Sequence, residues 1–228
     1  GLAGLYSACY SSKFGTAALI TKTTLEVSNS FWAQGGIAAA MGSEDSISNH
    51  FEDTIEAGKG LCSKEAVELL VEEGKDRIEE LINLGAPFDS EAGKISLGLE
   101  GGHSKRRVLH AGGDSTGKEI INFLIWEVRE KENISVLENT IVHRLIEENG
   151  ECLGALAYDY ANKEQIIFQA NAVIMAAGGA SGIFKRTTNP HTSTGDGIAL
   201  SYFIGAEIAD MEFVQFHPTA LYTESGET

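Results

Sequence analysis

Between residues 64 and 84 apolar side chains recur with the period of a helix. Val67, Leu70, Val71, Ile78, Leu81 and Ile82 fall on one face, with Glu and Lys opposite. Ser63 stands where a cap belongs, and Gly85 followed by Pro87 ends the run. Residues 46–60 read as a companion helix. Thr116-Gly117-Lys118-Glu119 has capping-box spacing and predicts a helix to about Lys131. Runs of β-formers follow at 134–137, 140–145, 152–158 and 165–169, the last three separated by turn sequences at 147–151 and 160–163. These read as an antiparallel meander inserted into the main fold. The unbroken apolar run 172–177 predicts a buried parallel strand, with Gly178-Gly179 at the carboxyl end where ligands of open α/β sheets sit.

The chain opens on Gly1-Leu2-Ala3-Gly4-Leu5-Tyr6-Ser7-Ala8, which has the form of the second half of a G-x-G-x-x-G-x-x-x-A turn entering a helix. Residues 16–21 then read as the next strand. The expected class is α/β: a Rossmann-like domain with a parallel sheet and an inserted antiparallel meander, truncated at both ends. The first strand of the βαβ unit is expected to be missing, and with no initiator Met the chain reads as a fragment. Lys22 stands where dinucleotide sites for NAD place an acid. It suits a phosphate or adenosine, and reads equally as a solvated strand end.

Residues 28–40 are an odd core segment. Phe31 and Trp32 stand beside Gln34, Gly35 and Gly36, and a small apolar run follows. The two glycines remove side chains where something bulky approaches the backbone. Residues 37–40 are expected to leave as a helix with its positive end toward that object. A tightly packed helix start with no ligand is the alternative.

Composition narrows the class. Glycine outnumbers proline 26 to 3 and occurs in pairs at 35–36, 101–102, 112–113 and 178–179, which suggests one backbone approaching one ligand repeatedly. A net charge of -16 argues against nucleic acid and against an anionic membrane surface. Cys9, Cys62 and Cys152 are odd in number and form no C-x-x-C, so neither a disulfide framework nor a zinc site is expected, and a reducing cytoplasmic setting is. No apolar run approaches the ~18 residues of a membrane helix.

Three stretches carry chemistry. Residues 100–110 pack Glu100, His103, His110 and three cations, Lys105, Arg106 and Arg107, around Gly101 and Gly102. They read first as a solvated charge run and second as a proton-handling or carboxylate-binding loop. Asp196 precedes an apolar helix, as its cap or as acceptor for a ligand hydroxyl. His217 sits between Phe216 and Pro218. Gly113-Asp114-Ser115-Thr116-Gly117 matches the serine-hydrolase elbow, but residues 109–112 make a poor strand to enter it and the capping box already explains these residues.

Together, the segments 1–8, 28–40, 100–120, 176–194, 194–205 and 211–221 resemble the succinate dehydrogenase and fumarate reductase flavoprotein family, and within it the branch that oxidises L-aspartate. The resemblance implies an FAD-binding domain over residues 1–217 and the start of a capping domain over 218–228. It places Gly1 and Gly4 at the pyrophosphate, Lys22 toward the adenosine, Asn29, Ser30, Ala33, Gln34, Gly35 and Gly36 beside the flavin, and Asp196 as a further FAD contact. Glu100 and His217 are implied to face the substrate. Members that bind FAD covalently carry a histidine where this chain has Asn29, so noncovalent FAD is implied. Dehydrogenases of the family carry an apolar aromatic residue where Glu100 stands, and a carboxylate there can pair with the ammonium of aspartate. The implied activity is oxidation of L-aspartate to iminoaspartate with oxygen or fumarate as acceptor, the first step of NAD biosynthesis, with hand-off of the imine to quinolinate synthase. The rivals are a fumarate reductase or succinate dehydrogenase subunit and a noncatalytic FAD-binding remnant.

Overall fold

The computed structural model describes residues 1–216. His217 lies outside the described residues. The chain divides into two compact units, one built from Gly1–Phe31 and the chain from Leu124 onward, the other from Trp32–Phe123.

In the first unit the helix Leu2–Ser11 leads to the strand Ala17–Ile20, which pairs in parallel with Ile134–Leu137, Ala17 opposite Ile134 and Ile20 opposite Leu137. The run 134–137 therefore belongs to the parallel sheet and not to the meander. Asn133 fixes this choice, since its amide donates to the Ser12 and Gly15 carbonyls at 2.7 and 2.8 Å while its own carbonyl accepts from Ala17 N–H. The meander itself has three strands, Thr140–Glu148, Glu151–Asp159 and Glu164–Gln169, with the second in the middle. Its first turn puts Asn149 and Gly150 at φ 56° and 83°, which suits the Asn-Gly pair. In its second turn the Asp159 carboxylate accepts the Ala161 and Asn162 N–H groups.

The apolar run 172–177 is not a strand. It has no ladder neighbour among the described residues, and Val173, Ile174 and Met175 are exposed. An apolar run becomes a buried parallel strand only where neighbours supply its backbone hydrogen bonds. Its small residues instead seat against helices: a Cβ on Gly4 would meet Ala176, and one on Gly197 would stand 2.7 Å from the Ala177 Cβ.

In the second unit the helices Ile47–Ala57 and Lys64–Asn83 are capped by Ser46 and Ser63, whose hydroxyls accept from Asn49 N–H and Ala66 N–H. Val67, Val71, Ile78 and Leu81 are buried as their spacing predicts, but Leu70 is 66% exposed. At 100° per residue Leu70 lies about 60° from the centre of that stripe, beyond the width the neighbouring helix covers. Ile37–Ala38 is a strand rather than the start of a helix. It pairs antiparallel with Val108–Leu109, which pairs on its other edge with Leu97–Gly98. Val108, Leu109 and Ala111 are nearly closed to solvent, so this small sheet is a rigid base.

The helix Thr116–Arg129 crosses the division between the units and buries Ile120, Ile121, Leu124, Ile125 and Val128. Thr116 does not close a capping box. Its hydroxyl accepts from Ala111 N–H at 3.2 Å, and Glu119 N–H goes to the Ser115 carbonyl. Among the described residues no helix is long and apolar enough to cross a membrane.

Candidate cofactor and substrate site

In the first unit two clusters bring together residues far apart in sequence. At the start of the first helix, Gly1 offers no side-chain cap, and Leu2 N–H donates to Ser30 Oγ at 3.1 Å. A Cβ on Gly1 would stand 2.7 Å from that hydroxyl oxygen, so glycine is required for Ser28 and Ser30 to close over the helix end. Ser30 thus takes one of the free N–H groups of the helix start, and the others of the first turn still favour a phosphate. Gly4 lies a turn further on and faces Leu19 and Ala176 at 3.6 Å, the close packing of helix on strand.

The second cluster holds Lys22 and Asp196. Lys22 Nζ lies 2.5 Å from Asp196 Oδ2 and 2.8 Å from Thr194 Oγ1, and also donates to the Thr192 carbonyl. Thr194 Oγ1 donates to Asp196 Oδ1 at 2.8 Å, and the Asn29 amide donates to Ser193 Oγ at 3.0 Å. Lys22 and Asn29 thus staple the loop 192–196 to the strand end and to the short helix Asn29–Trp32. Burial pushes the Asp196 carboxyl up, yet the hydrogen bonds from Lys22 and Thr194 outweigh it and hold it below the usual range. It is therefore a carboxylate and a hydroxyl acceptor. It is not a cap: Gly195, at φ 77°, precedes the helix Asp196–Phe203 and no side chain caps it.

In the second unit Ala33, Gln34 and Gly35 are exposed, and nothing lies within 4 Å of where a Gly35 Cβ would stand. Gly36 differs. Its Cβ would stand 2.3 Å from the Leu109 carbonyl oxygen and 2.4 Å from Val108, so protein packing alone demands this glycine. The Ala33 carbonyl accepts from Gly117 N–H at 2.9 Å, which ties the segment to the start of the long helix.

The loop after Leu97–Gly98 carries Glu100. Its carboxylate is half-exposed, with Oε1 3.4 Å from His110 Nε2, and no heavy atom lies within 4 Å of a Cβ placed on Gly101 or Gly102. The loop is anchored by Asp53, which accepts from Ser104 N–H and Oγ, both at 2.8 Å, and from Arg107 Nη1 at 2.7 Å. Arg107 is fully buried and also grips Asp45 through Nε and Nη2 at 2.8 and 2.9 Å. Of the three adjacent cations, the one next to the strand Val108–Leu109 is drawn inside.

A family model described as FAD binding domain matches residues 1–227. The chain belongs to this FAD-binding family. FAD is its cofactor, and within the first unit the helix start at Gly1 and the Lys22–Asp196 cluster offer groups that could hold a dinucleotide. The hydrolase elbow is set aside with that assignment. Among relatives, the chain is 46% identical over 223 residues to an L-aspartate oxidase of a Nostoc species, covering 97% of this chain and 38% of that protein. Among solved structures it is similar to the E. coli quinol fumarate reductase subunit FrdA, with a TM-score of 0.91 at 30% identity, covering 100% of this chain and 39% of the other. It is also similar to Mycobacterium smegmatis Sdh1, with a TM-score of 0.90 at 35% identity, covering 97% of this chain and 40% of the other. The chain thus spans about two fifths of the length of the relatives it matches.

The FAD-binding family match leaves individual roles to geometry. The structure brings Gly1 to Ser30 and Lys22 to Asp196. Sequence reading missed Ser193 and Thr194, whose only signal was a run of hydroxyl residues before Gly195. It also missed the Arg107–Asp45–Asp53 network and singled out no role for His110.

Proposed function

We propose that the full-length protein oxidises L-aspartate to iminoaspartate, with oxygen or fumarate as electron acceptor, as the first step of NAD biosynthesis with hand-off to quinolinate synthase. FAD, when bound, supplies the two-electron acceptor. Residues 1–217 form its binding domain, and 218–228 begin a capping domain. Gly1 and Gly4 border the pyrophosphate at the first helix, while Lys22 and Asp196 orient the adenosine half. Asn29, Ser30, Ala33, Gln34, Gly35 and Gly36 border the flavin. Asn29 carries an amide already donated to Ser193, and an amide is no nucleophile for a covalent link, so FAD is held noncovalently.

The observation that carries the substrate assignment is Glu100, a half-exposed carboxylate at an open glycine turn. An ammonium beside it gains a charge-assisted hydrogen bond that a dicarboxylate without an amine cannot make. His217 binds a substrate carboxylate in this reading. The second reading, a fumarate reductase or succinate dehydrogenase type subunit, draws support from the TM-scores, which reflect a shared FAD domain more than a shared substrate.

The test is purification of the full-length protein. Acid should precipitate colourless protein and leave yellow FAD in solution, and L-aspartate should then yield peroxide in air. Oxidation of succinate without oxidation of aspartate would overturn the assignment in favour of the second reading.

A further inference from the structure

Glu100 is not alone at its turn. In the pairing of Leu97–Gly98 with Val108–Leu109, Leu109 stands opposite Leu97, so His110 lies past that end of the ladder and its ring leans back toward Glu100, with Nε2 3.4 Å from Oε1. The imidazole reaches that oxygen across Gly98. A Cβ at position 98 would stand 2.9 Å from His110 Nε2 and 3.4 Å from its Cδ2. The base of the histidine is fixed, because Leu109 and Ala111 on either side are fully buried and the His110 carbonyl accepts from Asp89 N–H at 2.8 Å. A long, half-exposed glutamate is thereby met by a ring whose backbone cannot drift.

We propose that His110 is a positioning residue for Glu100, and that Gly98 is the gap admitting its ring. Held toward Nε2 at 3.4 Å, Oε1 is occupied and Oε2 is left to receive the ammonium of an α-amino acid. This rests on the reading above that Glu100 recognises the amine. A glutamate free to rotate must be ordered when substrate binds, at a cost in rotamer entropy that falls on the bound complex. Holding one oxygen beforehand removes that cost for an amino acid and does nothing for a dicarboxylate lacking the amine. The pair therefore sets affinity for aspartate rather than the rate of the chemical step.

The experiment uses the full-length, FAD-loaded protein with His110→Ala, His110→Gln, Gly98→Ala, Glu100→Gln and the Glu100→Gln/His110→Ala double variant. Readouts are the aspartate Kd by calorimetry, KM and kcat for aspartate, and fumarate reduction. His110→Ala should raise the aspartate Kd and KM roughly five- to tenfold, the range of one ordinary hydrogen bond, with kcat and fumarate reduction unchanged. His110→Gln keeps a donor and should recover most of the affinity. Gly98→Ala should copy His110→Ala with the histidine still present, and the double variant should be no weaker than Glu100→Gln alone. If Gly98→Ala does not fold, the double variant decides. A selective loss in Glu100→Gln with none in His110→Ala would overturn the inference and leave the role of Glu100 standing. No selective loss in Glu100→Gln would remove the amine reading and the inference with it.

Discussion

Arg107 and Asp45, 62 residues apart, form a bidentate ion pair at 2.8 and 2.9 Å with 0% and 1% of their side chains exposed. Removing one member of such a pair strands the other charge away from water, at a cost of about 3–5 kcal/mol. Asp45→Asn and Arg107→Met should each lower the denaturant midpoint by a corresponding amount with little change in slope. Because Arg107 also bonds Asp53, which holds Ser104, either change should also loosen the loop bearing Glu100. Faster amide exchange at residues 100–106 is the expected sign, and unchanged exchange there would detach the network from that loop.

Stability should fall on acidification in two separate windows. Burial, with the nearby charges of Arg107 and His103, pushes the His50 imidazole below its ordinary value, and its Nδ1 has no hydrogen-bond partner among the described residues. The folded state thus binds this proton less readily than the unfolded chain, whose imidazole titrates near ~6.5. The contribution is whole above that value and declines as pH falls below it. Asp45 acts lower: burial raises its carboxyl, but the Arg107 and Ser46 hydrogen bonds outweigh this, so its contribution is lost below about pH 4. Melting temperatures measured from about pH 8 to about pH 3 should slope between about pH 7 and 5 in the wild type and flatten there in His50→Gln, while the drop below about pH 4 persists in both.

Much of this was legible in the sequence where local rules decide. The caps at Ser63 and Asn-Gly at 149–150 need only neighbours a few residues away, and both stand. The errors lie where a distant partner decides. Residues 37–40 look like a helix until Val108–Leu109 offers a strand to pair with, and 134–137 looks like a meander strand until Ala17–Ile20 claims it. Arg107 is indistinguishable from Arg106 by composition, because burial of a cation depends on two aspartates 54 and 62 residues away. Gly35 and Gly36 read alike as a pair, although open space surrounds one and a carbonyl presses on the other.

That last contrast can be tested directly. Gly36→Ala forces a Cβ onto the Leu109 carbonyl and should destabilise the protein by about 1–3 kcal/mol whether or not FAD is present. Gly35→Ala meets nothing and should leave the cofactor-free protein within about 0.5 kcal/mol of wild type. If the flavin lies against this backbone, Gly35→Ala should still weaken FAD binding in a fluorescence titration. Equal FAD affinity in Gly35→Ala and wild type would move the ring system elsewhere.

Lys22 should matter for cofactor retention more than for folding. It is part-exposed, so its pair with Asp196 contributes modestly to stability, but it holds three groups of the loop 192–196 in one place. Lys22→Met should raise the FAD dissociation constant roughly tenfold, the equivalent of one lost charge-assisted hydrogen bond, with a small change in melting temperature. Release of FAD fluorescence on dilution measures the first and calorimetry the second. A large stability loss with unchanged FAD release would make Lys22 a structural staple only.

If Glu100 recognises the substrate amine as proposed, Glu100→Gln should separate amino-acid recognition from the rest of the site. Glutamine keeps the size and one acceptor but loses the charge that an ammonium pairs with. The loss of a charged hydrogen bond, about 1.5–3 kcal/mol, corresponds to a fall of roughly ten- to a hundredfold in kcat/KM for L-aspartate. Fumarate carries no amine, so its reduction by the same variant should stay within twofold, which also shows that FAD remains bound and the fold intact. An equal fall in both reactions would mean that Glu100 supports the site generally, and the choice of aspartate over succinate would have to be sought beyond Phe216.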